Sequence, residues 1–254
     1  MVKIGELTDS EYWNEKWKAF KVKKISERHF FYGKNGIFLR SIRRHNIKLN
    51  SKSILEVGGA GSYFLLALSK WGNSDVTAID YSPVGLEKTR EVFTLNDCLV
   101  KTIQSDFLSW DNEGKQYDIL VHWGVLEHFE NTVPIFTKCQ QLLKPNGILV
   151  FAMPNMMAYG AYFWAKWAPD NWGKHIFHSD DTIKSACSLA GLKLDKVFYW
   201  GYPLLQISLW EKKGLLQTAV SLLNLSLIVL GAILPIYHFG HRKISVYRGF
   251  IASS

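Results

Sequence analysis

At 254 residues, 48% apolar and 14% aromatic, the chain is too hydrophobic for a disordered polypeptide and long enough for one large domain or one domain with an embellishment. A formal net charge of +8, with no run of five basic residues, favours an anionic partner but does not choose among small molecule, membrane surface and nucleic acid. Cys98, Cys139 and Cys187 lack metal or disulfide spacing, and Lys3, Glu6 and Asp9 interrupt any apolar leader, which together predict buried free thiols in a cytoplasmic protein.

Residues 1–50 read as an N-terminal helical cap. Thr8 or Asp9 precedes Tyr12, Trp13, Trp17 and Phe20, aromatics on roughly one helical face that are expected to pack on the core. A second helix, about Phe30 to His45, leads through the polar turn Lys48–Lys52 into the first strand. That strand opens Ser53–Ser62, SILEVGGAGS, and Tyr63–Trp71 follows with apolar residues at helical spacing. Strand, glycine turn and helix form a nucleotide-type cradle, because glycines accept positive φ and the helix start turns its amide groups toward a ligand.

The spacing narrows the ligand. A dinucleotide fingerprint would need glycine at Ala60 and Tyr63, or at Phe64, and no Lys-Ser or Lys-Thr marks a P-loop. Glu56-Val57-Gly58-Gly59-Ala60-Gly61-Ser62 resembles the first motif of class I S-adenosylmethionine-dependent methyltransferases, an acid followed by G-x-G-x-G, with Ala60 and Ser62 replacing two glycines. The resemblance implies a doubly wound α/β fold with a mostly parallel seven-stranded sheet, with Glu56, Gly58, Gly59, Ala60 and Gly61 against S-adenosyl-L-methionine, and it gives the N-terminal aromatic helix a second reading, as a cover over the cofactor.

Val76–Asp80 is the second strand and ends in an acid. Asp80 is placed to accept from both ribose hydroxyls, although an acid there also suits a helix cap; Tyr81 would lie beside the adenine. The third strand, about Leu99–Gln104, runs into Asp106 and Phe107, which the resemblance assigns to the adenine amino group and ring face. Tyr117–His122 is the fourth strand, and Trp123–Phe129 at its carboxyl end should line the site. Quinone-type O-methyltransferases of the superfamily place a metal on Glu-x-x-Glu-His, but here Gly124 stands where the first Glu would, so no metal is expected on Glu127 and His128 alone. His128, His122 and His178, in that order, are the candidate general bases for a hydroxyl or acidic-carbon acceptor, while Glu127 and His128 serve equally as anchors of the next helix.

A helix at about Thr132–Leu143, a turn at Lys144–Gly147 and the strand ILVFAMP complete five βα units. Asn155–Phe177 reads as loop-like or weakly helical, is rich in large aromatics and leaves the carboxyl end of the fifth strand, as would a lid with walls suited to an apolar or ring-shaped acceptor, or a segment that packs its aromatics on the core. His175 and His178 there read as substrate contacts or satisfied loop histidines rather than zinc ligands. Ser179 caps a helix to about Ala190, and Lys193–Tyr199 is the next strand.

Gly214–Tyr237 carries no charge and is long enough to cross a bilayer. Crossing would strand the final strand, Ile244–Ala252, away from its sheet. A polar stripe at Gln217, Ser221 and Asn224, with Trp210, Lys212 and Lys213 before it and His241, Arg242 and Lys243 after it, suits a peripheral membrane helix; a dimer interface or buried helical pair is the alternative. The chain thus divides into the cap (1–50), the cofactor-binding core (51–203), an apolar insertion (204–243) and a last core strand (244–254). The function expected is methyl transfer to a small-molecule or lipid-like acceptor. A non-catalytic cofactor-fold module and, more remotely, a NAD-dependent oxidoreductase are the alternatives; nucleic acid is disfavoured, since no Asn-Pro-Pro-Tyr type segment follows the fourth strand.

Overall fold

Alternating apolar strands and amphipathic helices build one seven-stranded sheet with helices on both faces. The computed structural model describes residues 7–26, 34–202, 214–233 and 240–254. Helices α1 (Ser10–Lys18) and α2 (Lys34–Arg44) precede the sheet. Its first half comprises β1 (Ser53–Val57), α3 (Tyr63–Gly72), β2 (Asp75–Asp80), α4 (Pro83–Leu95) and β3 (Lys101–Gln104). The second half runs through β4 (Tyr117–Trp123), a 3-10 turn (Leu126–His128), α5 (Val133–Leu142), β5 (Leu143–Pro154), α6 (Tyr159–Trp167), α7 (Pro169–Trp172), α8 (Asp180–Leu189), β6 (Lys193–Trp200), α9 (Leu215–Ile233) and β7 (Tyr247–Ser253).

The strand order is β3-β2-β1-β4-β5-β7-β6. Strands β1 to β5 pair in parallel, and β7 enters antiparallel between β5 and β6. The order therefore reverses between β1 and β4, and the crevice beyond their carboxyl ends is where such sheets hold ligands. One apolar cluster joins α2, α3 and α4 to one face of the sheet, and a second joins α5 and α8 to the other. Local chemistry sets the helix starts: Ser62, Ser82 and Ser179 accept from the amides of Leu65, Gly85 and Thr182 at 2.9–3.0 Å.

One segment differs from expectation. Lys144–Gly147 is absorbed into β5 as an irregularity between the pairs Tyr117–Leu143 and Ile119–Ile148, with Asn146 at φ +60°. The aromatic stretch after β5 carries the short helices α6 and α7, in keeping with its weakly helical reading. Of the apolar insertion, α9 buries Val220 and packs Ile228 on the core, while Leu222, Leu223, Leu225, Val229 and Leu230 stay exposed. Ser221 of the expected polar stripe is exposed and Asn224 half-buried; the Gln217 side chain, Trp210, Lys212, Lys213 and residues 30–33 lie outside the described residues. Among the described residues no helix is long and apolar enough to cross a membrane.

His122 requires a correction. It lies within β4 between Val57 and Phe151, stacked on the Phe151 ring at 5.0 Å, 1% exposed and with neither ring nitrogen hydrogen-bonded. A ring sealed in the sheet cannot take a proton from an acceptor. Burial pushes its pKa down to about 3, so the folded state keeps it neutral while the unfolded chain protonates it. The stability linked to this group is complete above the unfolded value of about 6.5 and is lost as pH falls toward the folded value. Unmet buried polar groups cost about 1–3 kcal/mol, so His122→Phe is expected to raise Tm by several degrees at neutral pH and to flatten the acid side of the stability curve, as read by thermal melts across pH.

Candidate active site

The site begins where β1 ends. Gly58 and Gly61 adopt φ +69° and +58°, and a side chain would meet Val125 at 2.8 Å from position 58, Ala78 at 2.8 Å from position 59 and the Trp17 ring at 2.5 Å from position 61. Glycine is thus demanded at all three by backbone handedness or close approach. Both departures from the G-x-G-x-G pattern have local reasons. Ala60 is free of positive φ, and Ser62 is the residue that caps α3.

Asp80 closes the turn from the neighbouring strand. Its Oδ1 accepts from the Ser82 amide at 2.8 Å and its Oδ2 from the Ala60 amide at 3.2 Å. Ser82 caps α4, so Asp80 is not that helix's N-cap. Burial pushes its pKa up to about 6. Glu56 is deeper still: burial pushes it up to about 8 against the opposing bond from Ser62, and its Oε2 has no partner. Both carboxyls line a cavity of about 640 Å³, together with Gly58, Ala60, Gly61, Tyr81, Asp106, Phe107 and Trp123. Gly59 lies beneath it, against Ala78. An orphaned carboxyl oxygen, a second buried carboxyl and a glycine cradle fit a ligand with a cationic amine and vicinal hydroxyls, as S-adenosylmethionine has.

Helix α1 covers this cavity and buries none of its residues in the core, so of the two expectations for its aromatics it is covering the cavity, and not packing inward, that describes them. The Trp17 ring rests on Gly61 and Gly85, Asn14 Oδ1 accepts from the Ser82 hydroxyl at 2.6 Å, and the Leu7 amide donates to the His128 carbonyl at 2.9 Å. Phe20, just beyond the helix, does pack on the core. Lys34, at the start of α2, lines the cavity with its ammonium 5.0 Å from the Trp123 ring centre; nothing in its sequence surroundings pointed to this place.

The exit from β4 supplies the titratable groups. Gly124 has φ +73°, a conformation that a glutamate would adopt only with strain. His128 Nδ1 faces the Lys174 carbonyl at 2.8 Å and His175 Nδ1 faces the Asn171 carbonyl at 2.7 Å. A carbonyl only accepts, so both Nδ1 atoms carry the proton and both Nε2 atoms keep their lone pairs. The two rings lie 4.8 Å apart, centre to centre, and both line the cavity. Glu127 lies beside them with an unpartnered Oε2 and a pKa pushed up to about 8 by burial, whereas burial holds His128 down at about 4. At neutral pH the cluster is two neutral imidazoles beside a largely protonated carboxyl.

Glu127, His128 and His175 are also the group able to hold a metal among the described residues, with one ligand atom from each within 4.8 Å of the others. The expectation of no metal counted two ligands from this segment; His175 is a third that sequence spacing did not join to them. Bonds near 2.1 Å in a tetrahedral site would draw such atoms to about 3.4 Å. As arranged, the three groups can hold protons directly and a metal only after contraction.

His178 needs a correction of its own. Its Nε2 lies 3.3 Å from the Leu126 carbonyl and 3.1 Å from that of Phe129, and the residue does not line the cavity. The two carbonyls make Nε2 the protonated nitrogen, and Nδ1, which keeps the lone pair, belongs to a ring outside the cavity lining. Of the three candidate bases, only His128 reaches the cavity.

A family profile described as a methyltransferase domain matches residues 33–197. The ubiquinone biosynthesis O-methyltransferase of Rickettsia typhi is 28% identical over 154 residues, covering 61% of this chain and 60% of that protein, so the chain spans less than two thirds of that relative. Among solved structures, a SAM-dependent methyltransferase from Archaeoglobus fulgidus superposes with TM-score 0.56 at 16% identity, covering 89% of this chain and 97% of the other. The magnesium protoporphyrin IX methyltransferase of Synechocystis PCC 6803, solved with bound SAH, superposes with TM-score 0.58 at 11% identity over 96% of each chain. At these identities the likeness establishes the fold.

Because hydrogen bonds to a charged acceptor are worth about 1.5–3 kcal/mol, Asp80→Asn is expected to weaken S-adenosylmethionine binding roughly 10- to 100-fold in calorimetric titration. Wild-type affinity should fall as pH drops through about 6, where Asp80 takes up its proton, and Asp80→Asn should abolish that fall.

Proposed function

The chain belongs to the methyltransferase domain family, and from that premise we propose that it transfers the methyl group of S-adenosylmethionine to a small-molecule or lipid-like acceptor bearing a removable proton. The observation that carries this reading is a single cavity lined both by the glycine turn with Glu56, Asp80 and Asp106 and by His128 and His175. The printed name of the Rickettsia relative supports an oxygen acceptor.

The bound cofactor supplies a methyl group activated on a sulfonium. The chain supplies the rest. Glu56 offers its unpartnered oxygen to a cationic amine, Asp80 offers two oxygens to the ribose, and Asp106 with Phe107 takes the adenine. Trp13 and Trp17 of α1 shield the cavity from water, and alignment with desolvation is worth roughly 7–11 kcal/mol when geometry is right. His128 Nε2 accepts the proton of a hydroxyl acceptor, while the Lys174 carbonyl bonded to Nδ1 fixes the tautomer and supports the charge that forms.

The acceptor is met at a membrane surface. The exposed leucines of α9 and the exposed His241, Arg242 and Lys243 after it combine apolar and cationic groups as a peripheral contact with anionic lipid requires. The protein is expected to float with vesicles containing phosphatidylglycerol and not with neutral ones, and Leu222→Ser with Leu225→Ser should abolish flotation. A dimer by light scattering with no vesicle binding would instead assign that face to a second copy.

Cofactor binding with micromolar affinity is the first requirement; a folded protein that binds none would leave a non-catalytic module. His128→Ala is expected to lower turnover roughly 10²- to 10⁴-fold and to change cofactor affinity by less than about threefold, since the ring lies outside the cofactor cradle. Loss of cofactor binding in that variant would reassign His128 to holding the site together.

A further inference from the structure

We propose that Arg248 is a positioning residue for the site, seating the strap His175–Asp180 so that the His175 ring is held against His128. The inference rests on reading the cavity as the transfer site. Arg248 lies in β7, 1% exposed, in register with Met153 of β5 and Tyr199 of β6. A guanidinium inside a sheet is expensive to desolvate, and an apolar side chain would serve sheet packing better.

Its two terminal nitrogens reach the strap, Nη2 also lying 3.1 Å from the Met153 sulfur. Nη1 donates to Asp180 Oδ1 at 2.9 Å and Nη2 to the His178 carbonyl at 2.8 Å. The Phe177 ring centre is 5.4 Å from its central carbon. Asp180 is held from its other oxygen by the Tyr199 hydroxyl at 3.2 Å. Toward the cavity the same strap is fastened by the Ile176 amide on the Glu127 carbonyl at 2.7 Å and by the His178 ring on the Leu126 and Phe129 carbonyls. Between these fastenings and α7, which fixes His175 Nδ1 through the Asn171 carbonyl, the ring has one place to go. The two-point fork is a property of arginine that lysine lacks.

The test is Arg248→Lys, with ring ¹⁵N–¹H spectra of the protein's eight histidines assigned by single replacement. Wild type is expected to show His175 as the Nδ1-protonated tautomer. In Arg248→Lys the His175 and His128 ring signals should shift or broaden, kcat should fall roughly 10- to 100-fold, and cofactor affinity should stay within about threefold. Unchanged His175 signals and unchanged kcat, whatever the drop in Tm, would reduce Arg248 to a stabilising role and overturn the proposal. If Arg248→Lys fails to fold, Asp180→Ala removes the acceptor of one arm of the fork with the guanidinium in place, and the same two outcomes decide. Should wild type methylate no acceptor tried, the transfer reading fails while the ring spectra still decide the seating of His175.

Discussion

The turn after β1 works only because four backbone amides find acceptors within a space no side chain can enter. Gly58 and Gly59 both donate to the Ile79 carbonyl, Ala60 donates to Asp80, and Gly61 donates to the Gly85 carbonyl. The Thr89 hydroxyl returns a bond to the Gly59 carbonyl at 2.7 Å. The turn therefore belongs equally to β1, β2 and α4, and the carboxyls Glu56 and Asp80 are carried into the cavity by strands that cannot shift independently. Buried polar groups of this kind are tolerated because nearly all are bonded; the unbonded Glu56 oxygen stands out against that background as a place for a ligand.

Local chemistry made much of this legible in advance. The glycines, the Ser179 cap and the acid at the end of β2 each act within a few residues, so their spacing in the chain is their spacing in space. Placement across the chain was less legible. The aromatic face of α1 announced an apolar contact without saying whether core or cavity would receive it. His122 and His128 look alike in sequence, yet one is sealed inside β4 and the other stands beyond its end. Glu127 and His175 become neighbours only because the strap returns over the 3-10 turn. Lys144–Gly147 carried every mark of a free turn and became a strand irregularity, since pairing with β4 resumes at once.

Charge burial marks the other place where local reading fails. A strand residue such as Arg248 is expected at the surface, and no pattern around it in the chain reports that Asp180 and the His178 carbonyl wait beside it. The same is true of Lys34 beside Trp123. In both cases the side chain's meaning is set by elements that arrive from elsewhere in the fold, and propensity and periodicity carry no information about them.

The position of β7 between β5 and β6 has a consequence in time. Among the described residues β6 pairs with β7 alone, so as the chain emerges during synthesis β6 has no strand to join until some fifty further residues have followed, including the apolar α9. Trp200 and Phe198, buried in the finished sheet, stack on Phe38 of the earlier α2, but the backbone edge of β6 stays open through that interval, and an unpaired edge is a template for association between nascent copies. Completion of the sheet is a long-range closure, slow relative to the local βα units before it.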